Sequence, residues 1–155
     1  MLTPRQYEII GRVAIGFNEI DFLVGLYLSR FLGTHEIEMG EKISSRANLS
    51  GRRRELFLEV LDVVASKYPE LESLITPVRI SAQRAATLSV KRNEVVHGLL
   101  VFGRNPGEYA LRYRDQDLMW DEADLSVLAQ QLSLVEESLT ASCHDLLEAL
   151  NAKRV

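Results

Sequence analysis

Apolar side chains recur along most of this chain at spacings of three and four, the period of helices lying against a core. In the first stretch they fall at Tyr7, Ile10, Ala14, Phe17, Val24, Leu28 and Phe31, with a second stripe at Ile9, Val13, Ile20, Leu23 and Tyr27. The spacing predicts a helix over Pro4 to Leu32, capped by Thr3, with proline in the first helical position and more than one side buried. Asn18, Glu19 and Asp21 interrupt the stripes. Asp21 takes a seam position, where an unpaired carboxylate is costly. Two readings stay open: a salt bridge to a neighbouring helix, or a brace by Asp21 or Glu19 for a polar cluster further along the chain.

Gly33 ends that helix. Thr34 to Ala47 predicts a short amphipathic helix, and Ser50 starts a longer one to about Tyr68 on Leu56, Phe57, Val60, Leu61 and Val64. Arg52, Arg53 and Arg54 in its first turn read as a solvated face, with phosphate contact as the alternative, because cations are unfavourable at the positive end of a helix dipole. Pro69 breaks the helix, and Thr76-Pro77 reads as the cap and first residue of the next, ending at His97 or Gly98. Its stripe of Val78, Ala82, Ala85, Ser89, Arg92 and Val96 is small and partly polar, and the line Ala86, Val90, Asn93, His97 runs beside it.

Leu99 to Phe102 and Glu108 to Tyr113 predict a two-stranded hairpin around the turn-rich segment Gly103 to Gly107. A last helix, opened by Asp121 and reaching about Ala152, carries an unbroken seam of Leu125, Leu128, Leu132, Val135, Leu139, Ser142, Leu146 and Ala149. The expected fold class is therefore all-α, a bundle of long helices with a short β-hairpin before the last one, in a single domain over residues 1–155.

Composition narrows the function. At 46% hydrophobic and 26% charged residues the chain is of ordinary globular type. No apolar run approaches the roughly 18 residues of a membrane span, and Met-Leu-Thr-Pro-Arg-Gln carries no signal-peptide core. The single cysteine, Cys143, makes neither an internal disulfide nor a zinc cluster, and the adjacent His144 has no third ligand spaced nearby. These absences predict a cytoplasmic location, with no membrane partner, metal or cofactor. The net charge of −4 excludes a generic nucleic-acid coat. Between Arg79 and Arg114, however, seven basic residues face only Glu94 and Glu108, so a polyanion can bind there if these groups share a face; a solvated, salt-bridged surface is the alternative.

Within that basic span lies Lys91-Arg92-Asn93-Glu94-Val95-Val96-His97-Gly98. Asn93 and His97 stand four apart on one helical face, which lets the amide orient the imidazole. Arg92 is about 140° around the axis from His97, so one helix is not expected to aim both groups at one point, and a second copy of the helix would complete the site. A histidine and an arginine beside an RNA backbone suffice for metal-free cleavage. The imidazole takes the ribose 2′-OH proton, and the guanidinium fork stabilises charge on the phosphoryl oxygens. DNA lacks that hydroxyl, so the mechanism selects RNA. No glycine-rich phosphate loop or Ser-His-Asp order occurs.

Arg92-Asn93-x-x-x-His97-Gly98, on the third long helix of an all-α chain, resembles the Arg-x-x-x-x-His motif of the HEPN superfamily. The resemblance implies a four-helix up-and-down bundle and a homodimer whose two motifs face a shared cleft. In active members it implies a metal-independent endoribonuclease, with Arg92, Asn93 and His97 as catalytic residues and Lys91, Arg84 and Arg104 as candidate RNA contacts. Many such members are toxins or defence proteins with a protein antitoxin; others are non-catalytic modules that bind a nucleotide, RNA or a partner protein. Arg92 bridged to Asp21 or Glu19 in a purely architectural role is a third reading. A second Arg-x-x-x-x-His, Arg30 to His35, is broken by Gly33. Members regulated by a nucleotidyltransferase antitoxin carry Tyr two positions after the histidine; Leu99 stands there in this chain, and Tyr109 and Tyr113 do not replace it by position.

Overall fold

The computed structural model describes residues 3–33, 50–102 and 109–154. Four long helices account for most of them: α1 (Pro4–Phe31), α2 (Ser50–Lys67), α3 (Glu72–His97) and α4 (Glu122–Arg154). A 3-10 turn, Pro69–Leu71, leads into α3. The expected short helix in 34–47 lies outside the described residues, as do His35 and Arg104.

Helix ends follow side-chain chemistry. Thr3 Oγ1 accepts from the Gln6 amide at 3.2 Å while Gln6 Oε1 accepts from the Thr3 amide at 2.9 Å, a reciprocal cap on α1. Asp121 and Asp124 do the same for α4, with Asp121 Oδ1 accepting from the Asp124 amide at 2.7 Å and Asp124 Oδ2 from the Asp121 amide at 3.5 Å. Helix α3 departs from expectation, because it starts at Glu72 and contains Pro77. Pro77 lacks the N–H that would bond to the Ser73 carbonyl, so the second turn of α3 forgoes one helical hydrogen bond. Glu72 braces those turns: its Oε1 accepts from Thr76 Oγ1 at 3.3 Å and from Arg79 Nη1 at 3.0 Å. Thr76 thus serves inside the helix rather than as its cap.

The segment expected as a two-stranded hairpin is part of a three-stranded antiparallel sheet in the order β1 (Leu99–Phe102), β2 (Tyr109–Tyr113), β3 (Gln116–Met119). Leu100 is opposite Leu111, and Leu111 in turn opposite Leu118. Tyr113 pairs with Gln116 across a two-residue turn in which Arg114 (φ 49°) and Asp115 (φ 63°) are both left-handed, the geometry of a tight hairpin turn. The fold is helical with this small sheet between α3 and α4.

The chain divides into two compact units: unit 1 is Met1–Asn18 with Thr87–Leu134, and unit 2 is Glu19–Ala86 with Val135–Val155. In unit 1 the buried side chains include Ile9, Val13 and Phe17 of α1, Leu88 and Val95 of α3, and Leu125, Leu128 and Leu132 of α4. Gly16 lies against Leu132, where an added Cβ would meet the leucine Cβ at 3.6 Å. Tyr7, expected in the seam, is exposed instead.

In unit 2 the Tyr27, Phe31 and Phe57 rings form a tilted chain at centroid distances of 5.9 and 5.8 Å, joining α1 to α2. Ile20, Val24, Leu28, Leu61, Ile75, Val78, Leu139, Leu146 and Leu150 complete that core, each burial stabilising by roughly 1.5–3 kcal/mol. Arg79 ties α3 to α2 through Asp62 at 2.6 Å. Ser81 and Ser138 hydroxyls meet at 2.9 Å between α3 and α4. Cys143 is fully buried, and that burial pushes its thiol well above the ordinary range, so it behaves as a small core residue. His144 is exposed and faces Glu148 at 3.3 Å.

The arginine run of α2 is not the solvated face expected of it. Arg54 is 9% exposed and its Nη1 sits 3.6 Å from Asp21 Oδ1, while Arg53 Nη1 donates to the Asp21 carbonyl at 3.3 Å. Burial lowers the Arg54 guanidinium from its ordinary value, and the Asp21 carboxylate opposes that shift. Asp21 therefore makes the neighbouring-helix bridge that its seam position suggested. Glu19 faces a different partner, Glu136: desolvation first, then Glu19's charge and the hydrogen bond that the protonated Glu136 carboxyl donates to Glu19, raise the Glu136 carboxyl. No helix of the described residues is long and apolar enough to cross a membrane.

Candidate functional site

The last two turns of α3 set the polar cluster against α1 within unit 1. Arg92 projects back over α1, with its guanidinium carbon 5.2 Å from the centroid of the Phe17 ring. Its Nη2 donates to Asn18 Oδ1 at 3.5 Å and its Nη1 to Asn93 Oδ1 at 3.0 Å. Nη1 also lies 3.4 Å from His97 Nε2. Since guanidinium is donor-only, that contact presents the Nε2 lone pair to Arg92 and leaves the ring proton for Nδ1.

Two expectations are corrected here. The long arginine side chain overcomes the 140° separation, so a single helix does bring Arg92 and His97 to one point. Asn93 does not orient the ring; it holds the guanidinium. Asn18 completes the cradle, and its signal in the sequence was an amide breaking an apolar stripe. Neither Asp21 nor Glu19 is needed as a brace.

The electrostatics of the cluster are open. Arg92's partners among the described residues are two amide oxygens, a ring nitrogen and a phenyl face, none of them a carboxylate. Its Nε is buried with no hydrogen-bond partner among the described residues, which costs about 1–3 kcal/mol. The guanidinium is thus held below its donor capacity. His97 is exposed, as is Val90 at 58% two turns before it. An anion reaching the end of α3 therefore meets a guanidinium with donors to redirect and an imidazole beside it.

Of the remaining predicted site residues, Lys91 is exposed and lines a cavity with Trp120, Asp124, Val127, Leu128 and Gln131, on a different side of α3 from His97. Arg84 is exposed in unit 2. No group of three or more side chains suited to a metal ion occurs among the described residues. Comparisons with protein-family models, curated proteins and solved structures find no match to this chain.

Proposed function

We propose that this chain is a metal-independent endoribonuclease of HEPN type, acting as a homodimer, with Arg92 as phosphate clamp, His97 as proton-transfer group and Asn93 and Asn18 as positioning residues. The observation that carries this reading is the 3.4 Å approach of Arg92 Nη1 to His97 Nε2 at an exposed helix end, with no carboxylate partner on the guanidinium among the described residues. A structural ion pair would have an acid there. A phosphate clamp has exchangeable amide partners instead.

The step balances without a metal. An RNA phosphate draws Arg92 off Nε2, which frees the lone pair that takes the 2′-OH proton. The 2′-oxygen bonds to phosphorus, the 5′-oxygen–phosphorus bond breaks, and the leaving oxygen receives a proton from His97 of the partner subunit. The products are a 2′,3′-cyclic phosphate end and a 5′-OH end. In the same reading the helices take the four-helix up-and-down arrangement, and the protein is a toxin or defence protein held in check by a protein antitoxin.

A second reading is favoured by one feature: in the free protein Arg92 itself occupies the lone pair that a general base needs. A non-catalytic module binding RNA, a nucleotide or a partner protein through the same cluster accounts for that directly. Incubating labelled RNA with the protein in EDTA separates the two. The nuclease yields cyclic-phosphate ends with wild type and none with His97→Ala; the module yields bound, intact RNA with both.

A further inference from the structure

The cavity beside Lys91 belongs to unit 1 and measures about 260 Å³, just below the usual range for drug-sized ligands and open to solvent, room for part of a nucleotide. Its lining is chemically mixed. Trp120, half-buried, offers an aromatic face; Val127 and Leu128 are apolar; Lys91 is a cation; Asp124 is an acceptor; and Gln131 carries both donor and acceptor. Val127 keeps 51% of its surface exposed, which leaves apolar area for a ligand to cover.

We infer that this cavity is a base-specificity subsite for one nucleotide of the RNA strand, with Trp120 as the stacking face, Asp124 and Gln131 as readers of the base edge, and Lys91 on the adjoining phosphate. The inference rests on the RNA reading of the Arg92–His97 cluster and extends it to substrate selection. Each part follows from general chemistry. Bases splayed out of single-stranded RNA stack on aromatic rings and are read along their hydrogen-bonding edges. A carboxylate accepts and never donates, so it selects an edge rich in N–H groups. Guanine, with N1–H and N2–H side by side, fits Asp124 best; uracil, with a single N–H between two carbonyls, fits worst. Lys91 and Arg92 are consecutive, with Cα atoms about 3.8 Å apart but side chains about 100° apart around the helix. A strand whose phosphate engages Arg92 can therefore bring its neighbouring nucleotide round to the Lys91 side.

Trp120 is the chain's only tryptophan, so its fluorescence reports on the cavity. GMP titrated into the 155-residue chain in EDTA is expected to quench that fluorescence saturably. The half-quenching concentration should rise about tenfold or more for UMP in place of GMP, and likewise for GMP with Gln131→Leu or Lys91→Ala. Both variants change exposed side chains, so both are expected to give the wild-type circular dichroism spectrum. Absent or non-saturable quenching, or equal affinity for GMP across wild type and both variants, overturns the subsite. Cleavage of RNA without saturable quenching removes the subsite and leaves the nuclease. Saturable, base-selective quenching without cleavage keeps the subsite and removes the nuclease.

Discussion

Arg92 Nη1 and His97 Nε2 stand 3.4 Å apart, donor facing acceptor, at the C-terminal end of one helix. The guanidinium reaches that position because Phe17 supports its face and Asn18 and Asn93 take its other N–H groups. All three supports are neutral, and that neutrality is what separates a clamp for an incoming anion from a finished salt bridge.

Asn18→Asp tests the distinction. The change puts a carboxylate where an amide oxygen now sits 3.5 Å from Arg92 Nη2, converting the cradle into an ion pair. The expected result is unchanged or slightly higher unfolding stability with RNA cleavage reduced about tenfold or more, since the guanidinium no longer trades its partner for phosphate. Denaturant unfolding and a cleavage time course on the same preparation read both quantities.

The proposed dimer places the exposed end of α3 at the twofold axis, and Val90 is an exposed apolar side chain on that face, two turns before His97. Val90→Glu would set two like charges against each other across such an axis. Analytical ultracentrifugation is expected to show a dimer for wild type and a monomer for the variant, with cleavage lost alongside. A wild-type monomer with full activity would remove the shared-cleft arrangement.

Asp21 and Arg54 form a structural pair, outside the proposed RNA site. Asp21→Asn removes the carboxylate charge 3.6 Å from the buried Arg54 guanidinium and should cost roughly 3 kcal/mol of stability. Below the unfolding transition, cleavage should stay at the wild-type rate. Equilibrium urea unfolding gives the first quantity and an RNA assay at low temperature the second.

Glu136 provides a pH signature. Desolvation and the neighbouring Glu19 raise its carboxyl in the folded protein, so the folded state holds that proton more tightly than the unfolded chain. The contribution is therefore favourable at acid pH and is lost as pH rises from the ordinary carboxylate range through the raised value. Glu136→Gln has no proton to lose, so its stability advantage over wild type should grow across that window and then level off. Parallel thermal unfolding of the two proteins over that pH range checks the sign.

Much of the helical framework was legible because its causes are local. Thr3, Pro4, Ser50, Pro69, Asp121 and the apolar spacing mark the ends and faces of α1, α2 and α4 within a residue or two. What was missed depended on partners distant in sequence or on unfavoured local geometry. Nothing in Arg52-Arg53-Arg54 says that Asp21 waits for it. Pro77 read as a helix start because the Glu72 brace joins side chains that sequence pattern does not connect. The turn at Arg114-Asp115 lacks the glycine that normally announces two left-handed residues, so β3 went unrecognised. In the polar cluster, Arg92, Asn93 and His97 were legible as candidates from residue type, but the convergence of Arg92 on His97 and the contact made by Asn93 were not. Asn18 and Trp120 entered only through tertiary placement.

The most direct test is a double-mutant cycle on the pair that opens this Discussion. Cleavage of one labelled RNA is measured as kcat/KM in EDTA for wild type, Arg92→Ala, His97→Ala and the double variant. Two groups working as a unit on one phosphate give single losses of about a hundredfold or more, with the double variant no worse than the poorer single. Wild-type rates in both single variants, or cleavage that disappears in EDTA with the side chains intact, would contradict it.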